Sequence, residues 1–300
     1  MVGDEIRTGG GPAELTAAEL APAELVPAER VSAELAPAEL AAGLRAGYDA
    51  AAGEWADGPG LMYAQLARVL VAAAPVPLAG RLVLDLGAGA GVAGRAALAA
   101  GARHVVGADL SEGMLRHSGD ALPAAGYPVA ADAVALPFRD ASFDLVVAAF
   151  CLNHLSSLAA GLAEARRVGG AIAASLFAPG WTHPAKDAVD AALRPFGYRE
   201  PAWHACLSLD ADRLAGRAEA AGFSQLRVRT VTVPAGLVTP AELAAWRLGL
   251  AQFAPFLHSL DAPARTAARR AAERAVAQAA GQAGAGPAPL AVSMALVTAC

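Results

Sequence analysis

The chain has little cysteine, little lysine, few aromatic side chains and few charges. Three cysteines in 300 residues, Cys151, Cys206 and Cys300, make neither a disulfide framework nor a metal quartet. Charged residues reach 17 % and the net charge is −5, which excludes a polybasic nucleic-acid surface. A single lysine, Lys186, stands against 22 arginines, a compositional bias with no functional meaning. No apolar run reaches the roughly 18 residues needed to cross a bilayer. The longest, Leu290–Ala299 and Val168–Gly180, are strand-length or broken by glycine and proline. The N-terminus lacks the basic, apolar and small-residue order of a secretory signal. These absences lead us to expect a cytoplasmic protein with no bound metal, no membrane partner and no nucleic-acid partner.

Alanine is abundant instead: 82 residues of it carry the hydrophobic content to 56 %. At 30.0 kDa the chain is long enough to bury a sizeable core. The charge is unevenly spread, with eleven acidic residues against three arginines in residues 1–60 and a slight positive excess beyond. Residues 13–40 repeat a five-residue AEL unit, with glutamate at 14, 19, 24, 29, 34 and 39. Five residues turn an α-helix by about 500°, so neither leucine nor glutamate stays on one face. Pro22, Pro27 and Pro37 interrupt any long helix. A pentapeptide β-helix needs stacked coils of about twenty residues, and this segment supplies little more than one. Residues 1–40 are therefore expected to be a low-complexity, disordered acidic tail, with docking to a partner as the alternative.

From Ala41 the pattern is helical, through Leu44, Tyr48, Trp55, Leu61, Tyr63, Leu66 and Leu70. Beyond Pro77 short apolar runs alternate with alanine-rich helical spans. Strands are expected at Arg81–Leu86, His104–Ala108, Tyr127–Ala130, Phe143–Phe150, Ala171–Phe177, Gln225–Val233 and Leu290–Thr298. Helices are expected at Val92–Ala100, Ser111–Leu122 and Leu155–Arg167. This alternation predicts an α/β, doubly wound, mainly parallel sheet. Two long connections, at about 178–209 and 234–287, contain further helical patterns at Pro184–Leu193, Pro240–Phe253 and Ala262–Ala280. They read as helical cap insertions that enclose a substrate.

The first strand ends in Val83-Leu84-Asp85-Leu86-Gly87-Ala88-Gly89-Ala90-Gly91, and a helix follows at once. Glycines let backbone approach a ligand closely, and a helix start offers unpaired N–H groups. A dinucleotide pattern can be traced through Gly89, Gly91 and Gly94, with Asp109 about twenty residues on, but its register begins two residues late. Asp85, below the glycine turn, opposes a pyrophosphate and favours a cation.

Here the chain resembles the class I S-adenosylmethionine-dependent methyltransferases, close to their type 11 (ubiquinone/biotin-biosynthesis-like) branch. The resemblance implies a Rossmann-like seven-stranded methyltransferase sheet with the last strand antiparallel, over one domain at 41–300. VLDLGAGAGVAG at 83–94 looks like the loop that holds the methionine portion, which assigns Asp85, Gly87, Ala88, Gly89 and Gly91 to the cofactor. GADLSEGML at 107–115 is similar to the second motif, with Asp109 on the ribose and Leu110 and Met114 near the adenine. ADAVALPFRDASFDLVVAAF at 131–150 resembles the third and fourth, with Asp132 and Ala133 on the adenine and Phe150 at the strand end. Competing readings make Asp109 a turn residue, Asp132 a solvated loop acid, and Ser111 and Glu112 helix caps.

Methyl transfer is an in-line displacement, so positioning supplies much of the catalysis. Beyond Phe150 lies Cys151-Leu152-Asn153-His154, and His154 is the candidate base for an acceptor hydroxyl, against the plainer reading of a helix-start histidine. Cys151 has no preceding proline, and the acidic/Asn-Pro-Pro-Tyr motif of DNA amino-methyltransferases is absent. Trp181, His183, Trp203, His204, Trp246, Phe253, Phe256 and His258 punctuate the cap, as pocket lining or as packing. Lys186 is a candidate for an acidic acceptor or a solvated lysine. Tyr48 and Trp55 are candidates to close over the cofactor. The expected function is methyl transfer from S-adenosyl-L-methionine to a small-molecule acceptor, oxygen first, with nitrogen or carbon open. The alternatives are a non-catalytic S-adenosylmethionine-binding regulator and an NAD(P)-dependent oxidoreductase.

Overall fold

Where Val, Leu, Ile and Ala run without a charge between them, the chain forms strands buried on both faces, as expected of a parallel sheet covered by helices. The computed structural model describes residues 35–121, 126–205, 207, 209–282 and 289–300. Most of the 1–40 repeat, Leu122 at the end of one expected helix, Cys206, and 283–288 at the end of the second cap stretch lie outside the described residues.

In chain order the elements are α1 (Pro37–Trp55), α2 (Pro59–Ala72), β1 (Leu82–Leu86), α3 (Val92–Ala99), β2 (His104–Asp109), α4 (Glu112–Ala121), β3 (Gly126–Ala130), β4 (Leu145–Ala149), α5 (Leu158–Val168) and β5 (Ile172–Phe177). There follow α6 (Pro184–Leu193), α7 (Ala202–Ala205), α8 (Ala211–Ala220), β6 (Arg227–Pro234), α9 (Pro240–Leu248), α10 (Ala254–Ser259), α11 (Ala262–Gln282) and β7 (Ala291–Ala299). The seven strands form one sheet in the order β3-β2-β1-β4-β5-β7-β6. β1 pairs in parallel with both β2 and β4, whereas β7 runs antiparallel to β5 and β6. All seven strands lie where the sequence places them, within about two residues at each end.

The pleat sends successive residues to opposite faces. Val83, Leu145, Val147 and Ala173 join the core under α2, α6, α9 and α11, while Leu84, Val146, Ala148 and Ile172 join the core under α5 and α8. Strand order reverses between β1 and β4, which opens a crevice at their carboxyl ends, the usual ligand position in open α/β sheets.

Two helical spans differ from the sequence reading. The helix expected over Pro240–Phe253 stops at Leu248 and resumes as α10, because Gly249 lies against Pro59, where a Cβ would come within 2.6 Å of the proline ring. The helix expected from Leu155 starts only at Leu158, as α5, which Ser157 caps by accepting from the Ala160 amide at 3.3 Å, and a short 3₁₀ turn at Leu152–His154 precedes it. α8 went unread, although Asp210 caps it by accepting from the Arg213 amide at 2.7 Å and Leu214 and Ala218 form its buried stripe. α6 starts as expected, with His183 at the N-cap and Pro184 in the first turn. Among the described residues no helix is long and apolar enough to cross a membrane.

Candidate active site

The glycine turn after β1 is shaped by close approach. At Gly87 the backbone has φ +67°, and a side chain there would overlap Cys151 at the end of β4. The Cys151 thiol donates to the Leu86 carbonyl at 2.9 Å, so the ends of β1 and β4 are clasped together. Gly91 takes φ +77° as the left-handed N-cap of α3, a conformation that glycine adopts without penalty. The Gly87 amide donates to the Ala108 carbonyl at 2.8 Å, fixing the turn against β2.

Three carboxylates stand at strand ends around this turn. Asp85 is 1 % exposed; its Oδ2 accepts from the Gly94 amide at 2.6 Å, and its Oδ1 is buried with no hydrogen-bond partner. Burial pushes its carboxyl up to about 7, against the pull of the Gly94 hydrogen bond, with Asp109 adding to the rise and Arg95 opposing it. Asp109 accepts from the Gly89 amide at 2.7 Å and from the Ser111 amide at 2.8 Å. Burial raises its carboxyl, the backbone donors lower it, and the nearby Asp49 carboxylate raises it further. Asp132 accepts from the Val134 amide at 3.1 Å through Oδ1. Asp109 therefore also does the plainer work of turn formation expected of it as the alternative to a ligand, and Asp85, for which the sequence raises no such alternative, caps the first turn of α3.

These residues share one cleft. Its lining includes Asp85, Gly87, Ala88, Gly89, Asp109, Leu110, Met114, Asp132, Ala133, Phe150 and His154, which are all of the candidate site residues except Gly91. Gly91 shapes the start of α3 and does not reach the cleft.

Aromatic rings from elements remote in sequence also line the cleft: Tyr48 and Trp55 on α1, Tyr63 on α2, and Phe150 after β4. Trp55 stacks on Tyr63 at 5.5 Å between centroids, and Tyr63 meets Phe150 edge-on at 5.3 Å. Phe150 holds φ +56°, a left-handed conformation that is costly for a bulky side chain and that turns the chain sharply into Cys151. Tyr63 and the Phe150 backbone were not legible as site features: the spacing of Tyr63 with Leu66 and Leu70 reads as ordinary helix packing, and no sequence signal marks a positive φ at phenylalanine.

His154 completes this wall. Its Nδ1 lies 3.4 Å from the Tyr48 hydroxyl. Burial, with His204 adding a smaller push, lowers the imidazole to about 4, so His154 is neutral at physiological pH. Desolvation raises the Tyr48 phenol well above its ordinary value and also raises the Cys151 thiol, leaving both protonated.

The cap residues behave differently. Trp181, His183, Trp203, His204, Trp246, Phe253, Phe256 and His258 do not line this cleft. Trp246 and Phe253 are fully buried, and Lys186 lies 5.1 Å from the centre of the Trp181 ring.

Residues 84–173 match the family described as Methyltransferase domain. The chain is similar to the demethylmenaquinone methyltransferase of Clavibacter sepedonicus, at 47 % identity over 109 residues, covering 35 % of this chain and 43 % of that protein. It is also similar to the malonyl-[acyl-carrier protein] O-methyltransferase of Halorhodospira halophila, at 34 % identity over 151 residues, covering 48 % of this chain and 51 % of the relative. Among solved structures it shares its fold with a protein assigned to methyl transfer in an antibiotic-biosynthesis pathway of Anabaena variabilis, with a TM-score of 0.54 and 16 % identity over 77 % of this chain and 95 % of that one. Residues 84–173 therefore carry a methyltransferase domain. The matches span about half or less of the length of these curated relatives. The matched stretch of the methyltransferase domain runs from β1 to β5, so it contains the glycine turn, all three carboxylates and His154, and leaves α1, α2 and the cap outside.

Proposed function

We propose that the protein transfers a methyl group from S-adenosyl-L-methionine to the oxygen of a small, partly apolar acceptor. The observation that carries this reading is the buried, unpartnered Oδ1 of Asp85 beside a glycine turn, in a cleft that aromatic rings also line. A buried anion without a partner is costly, and a ligand cation offsets that cost. S-adenosylmethionine supplies, when bound, an electrophilic methyl on a sulfonium together with an ammonium group. In this reading Asp85 holds the cationic end, and Gly87, Ala88 and Gly89 let backbone meet the methionine portion. Asp109 accepts from the ribose hydroxyls, Leu110 and Met114 pack near the base, and Asp132 with the Ala133 amide recognises its edge. Phe150 bounds the methyl-transfer position.

His154 acts as the base. With its Nδ1–H donated to the Tyr48 oxygen, its Nε2 keeps a lone pair for the acceptor hydroxyl proton. Its low proton affinity keeps it deprotonated across the physiological range. We further propose that the catalytic unit includes α1 from Pro37 onward, and that the cap stretches at 178–209 and 234–287 buttress the acceptor side.

The test is a thermal-shift comparison with S-adenosylhomocysteine, S-adenosylmethionine and NAD(P), followed by labelled methyl transfer into a metabolite extract. Stabilisation by the first two and a labelled product are expected. Stabilisation by NAD(P) alone would overturn the proposal, and binding without turnover would make the protein a regulator.

A further inference from the structure

α1 contributes more than a wall to the cleft. Asp49, next to Tyr48, is not among the lining residues, yet its Oδ1 accepts from the Ser111 hydroxyl at 2.6 Å and from the Gly113 amide at 2.8 Å. The Ser111 oxygen in turn accepts from the Met114 amide at 3.1 Å, while the Ser111 amide donates to Asp109 Oδ1 at 2.8 Å. Ser111 thus touches both carboxylates, one through its side chain and one through its backbone. The approach of α1 to this turn is tight. A Cβ on Gly113 would come within 2.8 Å of Asp49 Oδ1 and 3.0 Å of its Cα.

The second Asp109 oxygen accepts from the Gly89 amide at 2.7 Å, so this carboxylate is held from both sides and its orientation depends on where the Ser111 backbone sits. A carboxylate gains from accepting charge-assisted hydrogen bonds only while the donors stay aligned. Asp49 supplies that alignment by gripping the first turn of α4 from α1, 62 and 64 residues earlier in the chain.

We propose that Asp49 is a positioning residue: it fixes the turn after β2 through Ser111 and Gly113, so that seating α1 sets the Asp109 carboxylate for the nucleoside. The proposal rests on the reading of Asp109 as the ribose ligand. A residue that acts through another shows non-additive effects with it.

Calorimetric S-adenosylhomocysteine dissociation constants for the parent protein, Asp49→Ala, Asp109→Ala and the double variant test this. Asp49→Ala is expected to weaken binding about tenfold in the parent and less than about twofold when Asp109 is already alanine. A merely structural tie between α1 and α4 gives losses that multiply, and that result overturns the proposal, as does unchanged affinity in Asp49→Ala. If Asp49→Ala does not fold, Ser111→Ala removes the shared hydroxyl link and takes its place in the same cycle, with the same two outcomes. A parent protein that does not bind S-adenosylhomocysteine defeats the cofactor reading itself, whereas normal parent binding with multiplying losses defeats only the role of Asp49.

Discussion

The cleft and the cap are both furnished with aromatic rings, and the rings serve different ends in the two places. In the cleft, Tyr48, Trp55, Tyr63 and Phe150 border the same open space as three carboxylates. In the cap, Phe253 is 0 % exposed, stacks on Tyr198 at 4.8 Å, and carries the Arg247 guanidinium 4.7 Å above its ring. That guanidinium is itself buried and paired with Asp190 at 3.0 Å, as a buried charge must be. Aromatic punctuation in a sequence therefore marks neither region by itself; what separates them is whether a ring lines the cleft or, like Phe253 and Trp246, packs into the core. The cap should govern stability and the cleft should govern turnover.

The strongest test of this division is Phe253→Ala. Emptying a fully packed aromatic site costs about 3–5 kcal/mol in a core, and the loss of the Tyr198 and Arg247 contacts places this site in that range. Denaturant unfolding should show that loss, while turnover per folded molecule, measured well below the melting transition, stays at the parent value. A fall in turnover per folded molecule would show that the cap shapes the acceptor site directly.

The converse variant is His154→Ala. Loss of a positioned base lowers turnover by about 10²-fold or more, with S-adenosylhomocysteine affinity and unfolding free energy close to the parent. Comparing kcat with the S-adenosylhomocysteine dissociation constant separates these quantities. If affinity falls in step with turnover, His154 belongs to cofactor binding and not to proton transfer.

The division also explains what sequence alone conveys. The glycine-turn side of the cleft comes from three contiguous stretches, 83–94, 107–115 and 131–150, each reaching the carboxyl end of a strand of the sheet. Local spacing is enough to find them. The sheet was legible for the same reason: Val83–Leu86 and Leu145–Ala149 have no competing helical pattern. The aromatic side is assembled from α1, α2 and the end of β4, and its members, Tyr63 above all, follow the same spacing as packing residues. Asp49 looks like any acid on the exposed side of a helix, since its partners Ser111 and Gly113 are adjacent only after folding. In the cap the sequence leaves lining and packing both open, because large side chains in an alanine-rich context stand out whether they face a ligand or the core; Trp246 and Phe253 face the core.

A smaller effect sharpens the role of Asp85, which belongs to the cleft yet caps α3. Its carboxyl is raised to about 7 by burial, above its ordinary 3.8. In the ligand-free protein it stays protonated to a higher pH than in the unfolded chain, so its contribution to stability is present below pH 4 and is lost between pH 4 and about 7. A cationic ligand reverses the preference by favouring the carboxylate. S-adenosylmethionine affinity should therefore rise about tenfold per pH unit up to about pH 7 and then level off, with close to one proton released per ligand bound at the lower end. Calorimetry in two buffers of different ionisation enthalpy counts that proton. His154, neutral down to about pH 4, contributes nothing to the profile in this range. Asp85→Asn should bind more weakly and lose the slope, because an amide keeps the shape of the cap on α3 but has no charge to recover. A profile that is flat from pH 6 to 8 in the parent protein would mean that Asp85 only caps the helix, and the ligand cation would then be met by the aromatic wall instead.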